Sequence, residues 1–292
     1  MSVAHTLKRR LPWWAKIGAK LVLARLPASP NVWRRLSVFR QGAMDDPSYA
    51  LEVFDVHVGR CRLRGLADKF VSLELGPGDS VSSALIAAAT GGAHSYLVDV
   101  APYALRGLEP YRRLASELRE LGLDPPDLAE VTTFEELLEH CDADYLTDGV
   151  ESLRRLPDAS VDVVWSHAVL EHVRRYQLDE TLRETRRVLR AGGLASHRID
   201  LRDHFADALN NLRFSDRVWE SRAMASSGFY TNRLRSSQLI ASFQRAGFVV
   251  EEVDARRWPT IPTPRRKLAA PFRDLSEEDL RTAELDVLLR AS

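Results

Sequence analysis

The chain has 292 residues, 45% hydrophobic and 28% charged, with 41 Lys+Arg balancing 41 Asp+Glu. That length accommodates one large domain or two small ones with a substantial core, and the balanced charge argues against a general nucleic-acid binder. The zero nonetheless joins two unlike parts: residues 1–40 hold nine basic and no acidic residues, leaving 32 basic against 41 acidic in the remaining 252.

In chain order, the first expected element is an amphipathic helix within residues 11–26. Leu11, Trp14, Ile17 or Gly18, Leu21 and Val22 share one face, and Arg9, Lys16 and Lys20 another. Pro27 and Pro30 should stop it. Lys16, Lys20 and Arg25 interrupt what a secretory signal would need as its apolar stretch, and no run approaches the roughly 18 apolar residues of a membrane span. A cytoplasmic location is therefore expected. The basic segment 8–26, with Trp13 and Trp14, admits two roles: peripheral contact with the inner membrane face, or the favoured one, packing of its apolar face on the protein or service as a substrate lid. A second helical pattern runs from Pro47 to Leu66, so residues 1–67 are expected to form an N-terminal helical extension. Cys61 and Cys141, 80 residues apart, suit neither a disulfide framework nor a zinc pair.

From Lys69 short β-rich runs alternate with helical ones. Strands are expected at 70–75, 95–100, 143–148, 161–166, 194–201, 248–255 and near the end of 279–289. Helices are expected around 80–89, through 101–121, over 178–190 before Ala191-Gly192-Gly193, and over 236–246 before Gly247. This rhythm predicts a parallel α/β sheet covered on both faces, with ligands at the carboxyl ends of its strands.

Glu74-Leu75-Gly76-Pro77-Gly78-Asp79 closes the first strand. Glycines there let a ligand approach the backbone, but Val81 stands where a dinucleotide fingerprint needs its third glycine, and carboxylates at the turn repel a pyrophosphate and suit a cation. Asp99, 21 residues past Gly78, can take both hydroxyls of a ribose. Asp148-Gly149-Val150 follows the third strand, and Ser166-His167-Ala168-Val169-Leu170-Glu171-His172-Val173 follows the fourth.

With ELGPG at 74–78, LVD at 97–99, DGVESL at 148–153, LPDASVDVVWSHAVLEHV at 156–173 and LRETRRVLRAGG at 182–193, the chain resembles the class I S-adenosylmethionine-dependent methyltransferases over about residues 68–255. The resemblance implies a Rossmann-like seven-stranded sheet, order 3-2-1-4-5-7-6 with the last strand antiparallel, in a domain over 68–292. It implies S-adenosyl-L-methionine as cofactor. Glu74, Gly76 and Gly78 would line its methionine part, Asp99 its ribose, and Asp148, Gly149 and Val150 its adenine, with Ser166, His167 and Ala168 on the edge facing substrate. HRIDLRDHF (197–205), LRFSDRVW (212–219) and TNRLRSSQ (231–238) are similar to a group of bacterial methyltransferases associated with surface polysaccharide or other secondary-metabolite gene sets. Residues 200–235 would then be a substrate lid, its Phe205, Phe214 and Trp219, with Phe229 and Tyr230, offering a stacking wall for a sugar or aromatic ring.

The expected reaction is O-methylation of a small-molecule or glycan-type acceptor, whose hydroxyl must lose a proton as it attacks. Candidate bases are His172, then His204, then His167. The spacing of five between His167 and His172 fits no zinc-helix pattern, so no metal is expected. Alternatives are a catalytically silent cofactor- or partner-binding protein, an N- or C-methyltransferase of a secondary metabolite, and an NAD-dependent oxidoreductase. Composition leaves the oligomeric state open.

Overall fold

The computed structural model describes residues 12–23 and 44–292. The expected helix stop at Pro27 and Pro30, Leu11, and the basic residues at 8–10 and 25–40 lie outside the described residues. Seven strands, β1 (Phe70–Leu75), β2 (Gly92–Val98), β3 (Ala143–Leu146), β4 (Val161–His167), β5 (Leu189–Asp200), β6 (Phe248–Arg257) and β7 (Thr282–Ala291), form one sheet ordered β3-β2-β1-β4-β5-β7-β6. The first four pair in parallel with their neighbours, as does β4 with β5. The reversal of β7 shows in its register: the Leu201 N–H donates to the Ala283 carbonyl at 2.9 Å while Arg198 pairs with Asp286 at 2.8 Å, so one number rises by as much as the other falls. Nearly every residue of β1 and β4 is buried, as in a parallel sheet covered on both faces.

The helices are α1 (Trp13–Leu23), α2 (Pro47–Phe54), α3 (Ser82–Ala89), α4 (Glu109–Glu120), α5 (Phe134–His140), α6 (Val150–Arg155), α7 (Arg175–Val188) and α8 (Ser236–Arg245), with shorter turns between them. Asp46 caps α2, its carboxylate accepting the Tyr49 N–H, and Pro47 fills the first position, where a missing N–H costs nothing. A π-turn over Asp55–Gly59 and a last turn, Arg60–Arg62, prolong this helix.

Two expectations are corrected, and one helix is new. The helix expected from Ala101 begins only at Glu109, because Leu105 and Ala104 donate instead to the Asp79 carbonyl and the Tyr145 hydroxyl. The helix before Ala191-Gly192-Gly193 ends at Val188, and those residues form a bulge inside β5: Val161 pairs with Leu189 but Val163 with Leu194. Helix α5 was not anticipated, although Thr133 and Glu136 form a complete capping box that its sequence displays.

The chain divides into two compact units. One holds the described residues before Arg40 with Asp200–Ser237 and Ala255–Glu284, the other those of Arg40–Ile199 with Gln238–Asp254 and Leu285–Ser292. In the larger, Val53, Phe54, Val58 and Cys61 join Leu85, Ile86, Leu114 and Trp165 in one core. In the smaller, Ile17, Phe205, Trp219, Met224, Phe229 and Tyr230 form a core against which Trp13, Leu21 and Phe214 pack. The aromatic rings expected to form a stacking wall are thus occupied with one another. Phe205 meets Phe229 edge-on at 4.9 Å, and the Trp219 indole donates to the Thr231 carbonyl. Helix α1 contributes Ile17 to this core and a Lys16 ammonium bond to the Phe205 carbonyl, while Trp14 stays 64% exposed. No described helix is long and apolar enough to cross a membrane.

Candidate functional site

The carboxyl ends of β1, β2 and β4 carry most of the residues singled out by sequence. Strand β1 runs straight into the glycine turn, where Gly76 and Gly78 both take φ +69°, a left-handed conformation that favours glycine. A Cβ on Gly76 would lie 2.6 Å from a Val169 methyl, so the turn and the segment after β4 touch here. Gly76 donates to the Val98 carbonyl and Gly149 to the Asp99 carbonyl, each at 2.8 Å. These bonds tie together the carboxyl ends of β1, β2 and β3.

Two buried acids define the electrostatics. The Asp99 carboxylate accepts the Gly78 N–H on Oδ2 at 3.0 Å and the Val100 N–H on Oδ1 at 2.7 Å. Burial raises its pKa above the aspartate range, and the N–H donors oppose this. Glu74, fully enclosed, is pushed by burial to about 8; the Ser83 hydroxyl, which hydrogen-bonds it, opposes the rise, and the negative charge of Asp99 adds to it. None of these influences on Glu74 is a cation. A positive ligand is the group this pair lacks for comfortable ionisation, and each Asp99 oxygen keeps a further lone pair for a hydroxyl donor. The donor set and the glycine cradle thus fit a cationic cofactor bearing a diol.

Other expected contacts are placed differently. The Asp148 carboxylate is exposed and pairs with Arg155 at 2.6 Å; Gly149 (φ +58°) and Val150 open α6 beside it. The Ser166 hydroxyl is fully buried and bonds His197 Nδ1 at 2.8 Å, so only its backbone can serve a ligand. Ala168 takes φ +56°, a strained value for an alanine, with its N–H on the Arg198 carbonyl. His172 is exposed, and its N–H closes a turn onto the Val169 carbonyl. His204 belongs to the smaller unit, near Asp200. Burial raises the pKa of Asp200, but the hydrogen bonds from Arg202 and the charges of Arg202 and His204 outweigh that and leave it lowered.

His167 is partly buried, and its surroundings reveal a residue that sequence reasoning passed over. Its Nδ1 lies 3.2 Å from Nε2 of His57, whose Nδ1 lies 2.9 Å from the Ser196 hydroxyl. His57 stacks on Trp165, ring centroids 5.2 Å apart. Burial, then Arg198, lowers His167 to about 4, with Asp286 opposing; burial alone takes His197 to about 3, and burial followed by its histidine neighbours holds His57 well below the usual range. All three rings are neutral at pH 7. The available signal was a histidine among apolar helical positions, which by itself does not tell core from site.

Residues 73–196 match the family model described as a methyltransferase domain. None of the curated proteins matches the chain. Among solved structures, an S-adenosylmethionine-dependent methyltransferase from Methanosarcina mazei is similar at 14% identity, covering 79% of this chain and 96% of that one, with a TM-score of 0.46. One from Mesorhizobium loti shows 16% identity, 81% and 99% coverage and a TM-score of 0.43. A [4+2]-cyclase is also similar, at 16% identity, 77% and 75% coverage and a TM-score of 0.41.

Proposed function

From the premise that the chain carries a class I S-adenosylmethionine-dependent methyltransferase domain, we propose that it methylates an oxygen of a small-molecule or glycan-type acceptor. The observation carrying the cofactor is the buried Glu74–Asp99 pair at a left-handed glycine turn. When bound, S-adenosylmethionine supplies an electrophilic methyl group. The chain's residues then hold, orient and accept. Glu74, Gly76 and Gly78 line the methionine part, the Asp99 oxygens take the ribose hydroxyls, and the backbone of Gly149 and Val150 meets the adenine, with the Asp148 carboxylate shared with Arg155. Segment 166–168 borders the acceptor. His172, exposed just beyond β4, receives the proton of the attacking hydroxyl.

The test is calorimetric binding of S-adenosylmethionine and S-adenosylhomocysteine, then methyl transfer from labelled cofactor across a panel of hydroxylated small molecules and glycans. Micromolar cofactor binding and labelled product are expected, with His172→Ala lowering turnover by about 10²-fold or more at unchanged cofactor affinity. Binding of NADH but not of S-adenosylhomocysteine would overturn the reading.

Glu74 adds a pH signature. An acid raised in the folded state stabilises the fold below its unfolded pKa and loses that contribution as pH climbs through its folded value, here about 8. A cation bound beside it favours the ionised form, so binding should expel a proton. Affinity for S-adenosylmethionine is expected to rise between pH 6 and 8, by at most about tenfold per unit, with proton release visible as a buffer-dependent binding heat. Glu74→Gln should bind more weakly and abolish both effects; an unchanged pH slope in that variant would refute the role.

A further inference from the structure

The proposed mechanism leaves the buried Ser196–His57–His167 cluster of the larger unit without a task. Ser196 is 1% exposed, and its hydroxyl has one hydrogen-bond partner among the described residues, His57 Nδ1. A neutral imidazole nitrogen either carries a proton or accepts one, whereas a hydroxyl can do both. If His57 Nδ1 carried the proton, Ser196 would only accept, and its own proton would be buried without a partner. That arrangement is disfavoured by roughly five- to 150-fold. Ser196 therefore donates, the proton of His57 sits on Nε2, and Nε2 donates to His167 Nδ1. His167 must then carry its own proton on Nε2.

That last nitrogen has no protein partner among the described residues, and His167 is partly exposed where β4 ends, two residues before the Val169 that touches the glycine turn. The groups facing His167 are Tyr49 and His57 from the helical segment after residue 46, and, from β5 and β7, Arg198 and Asp286, which pair with each other. His57 owes its place to the π-turn over Asp55–Gly59, an insertion that rotates a side chain out of ordinary helical register. A Cβ on Gly59 would lie 2.5 Å from the Asp55 carboxylate, which would have to swing aside toward solvent.

We propose that Ser196 and His57 act as positioning residues that hold His167 in its Nε2–H tautomer, so that His167 offers the acceptor substrate a hydrogen-bond donor rather than a base. The acceptor class this selects carries a lone-pair oxygen, a carbonyl, carboxylate or phenolate, near the oxygen that is methylated. The ligand half of the inference rests on the methyltransferase reading; the tautomer half does not. It leaves proton removal to His172.

The full chain labelled with ¹⁵N-histidine, examined by long-range nitrogen–proton correlation at pH 7 with His167→Gln for assignment, tests it. Nε2–H tautomers are expected for both His57 and His167. Ser196→Ala should turn both into tautomer mixtures, and Ser196→Thr, which keeps a hydroxyl, should restore the pattern. A wild-type His167 with its proton on Nδ1, or an unchanged pattern in Ser196→Ala, would overturn the relay. In protein loaded with S-adenosylhomocysteine, millimolar benzoate as the probe carboxylate should shift the His167 Nε2–H signal, and the absence of any shift would overturn the donor role. Failure of S-adenosylhomocysteine to bind would instead overturn the methyltransferase reading and leave the relay to be decided by the spectra of the ligand-free protein.

Discussion

Asp99→Ala is expected to weaken S-adenosylmethionine binding at least tenfold. Hydrogen bonds to a charged acceptor are worth about 1.5–3 kcal/mol each, and 1.4 kcal/mol is a factor of ten, so loss of one ribose contact already meets that threshold. The carboxylate also organises the turn, because one oxygen holds the Gly78 N–H and the other the Val100 N–H. Asp99→Asn is therefore nearly as damaging as alanine: an amide can accept only one of those donors and sets its own N–H against the other. The alanine variant should also bring the Glu74 pKa down, since the Asp99 charge is one of the causes that raise it. Calorimetry of both variants across pH 6–8 checks the pair, and unchanged affinity in Asp99→Ala would remove the cofactor assignment.

Arg235→Met is expected to destabilise the smaller unit by about 4 kcal/mol or more. The Arg235 guanidinium is 1% exposed and donates to the carbonyls of Leu201, Thr282 and, through two nitrogens, Asp279. Burial lowers its pKa to about 10, with Asp279 and Asp200 opposing, so it remains charged at neutral pH. Methionine fills much of the same volume but leaves three buried carbonyls unpaired, at about 1–3 kcal/mol each. The neighbouring Asp279 carboxylate holds the start of α8 through Ser236 and both polar groups of Ser237, so loosening Arg235 also frees that anchor. Arg235→Lys should recover only part of the loss, since a flexible ammonium cannot reproduce the planar fork. Thermal and urea unfolding give the measurement; a loss below about 1 kcal/mol would show that the carbonyls find water instead.

Much of the backbone of the candidate site was legible in the sequence because its determinants are local. Gly76 and Gly78 mark the turn by their backbone freedom, the acids at 74 and 99 end buried strands, and the alternation of apolar runs with helical ones forces the crossovers that make the sheet parallel. The capping box of α5 was equally visible at Thr133 and Glu136. Misreadings fell where a side chain's partner is distant in the chain. Phe205, Trp219 and Phe229 have the composition of a ligand wall, yet they close a core around Ile17, almost 190 residues before Phe205. Ser166, expected on the edge facing substrate, has its hydroxyl turned onto His197 of β5, 31 residues on.

By itself, the sequence determined the alternation of strands and helices, the glycine turn and the acidic strand ends, because period and turn chemistry act over a few residues and survive without knowledge of neighbours; the order of the strands followed only from the resemblance of its motifs to a known family. Only the tertiary structure decided that His57 touches His167 across 110 residues, that Ser196 closes that chain, and that the aromatic rings of the smaller unit pack on one another. Burial and a single shared proton are properties of a pair, and a pair exists only once the fold has brought its members within hydrogen-bonding distance.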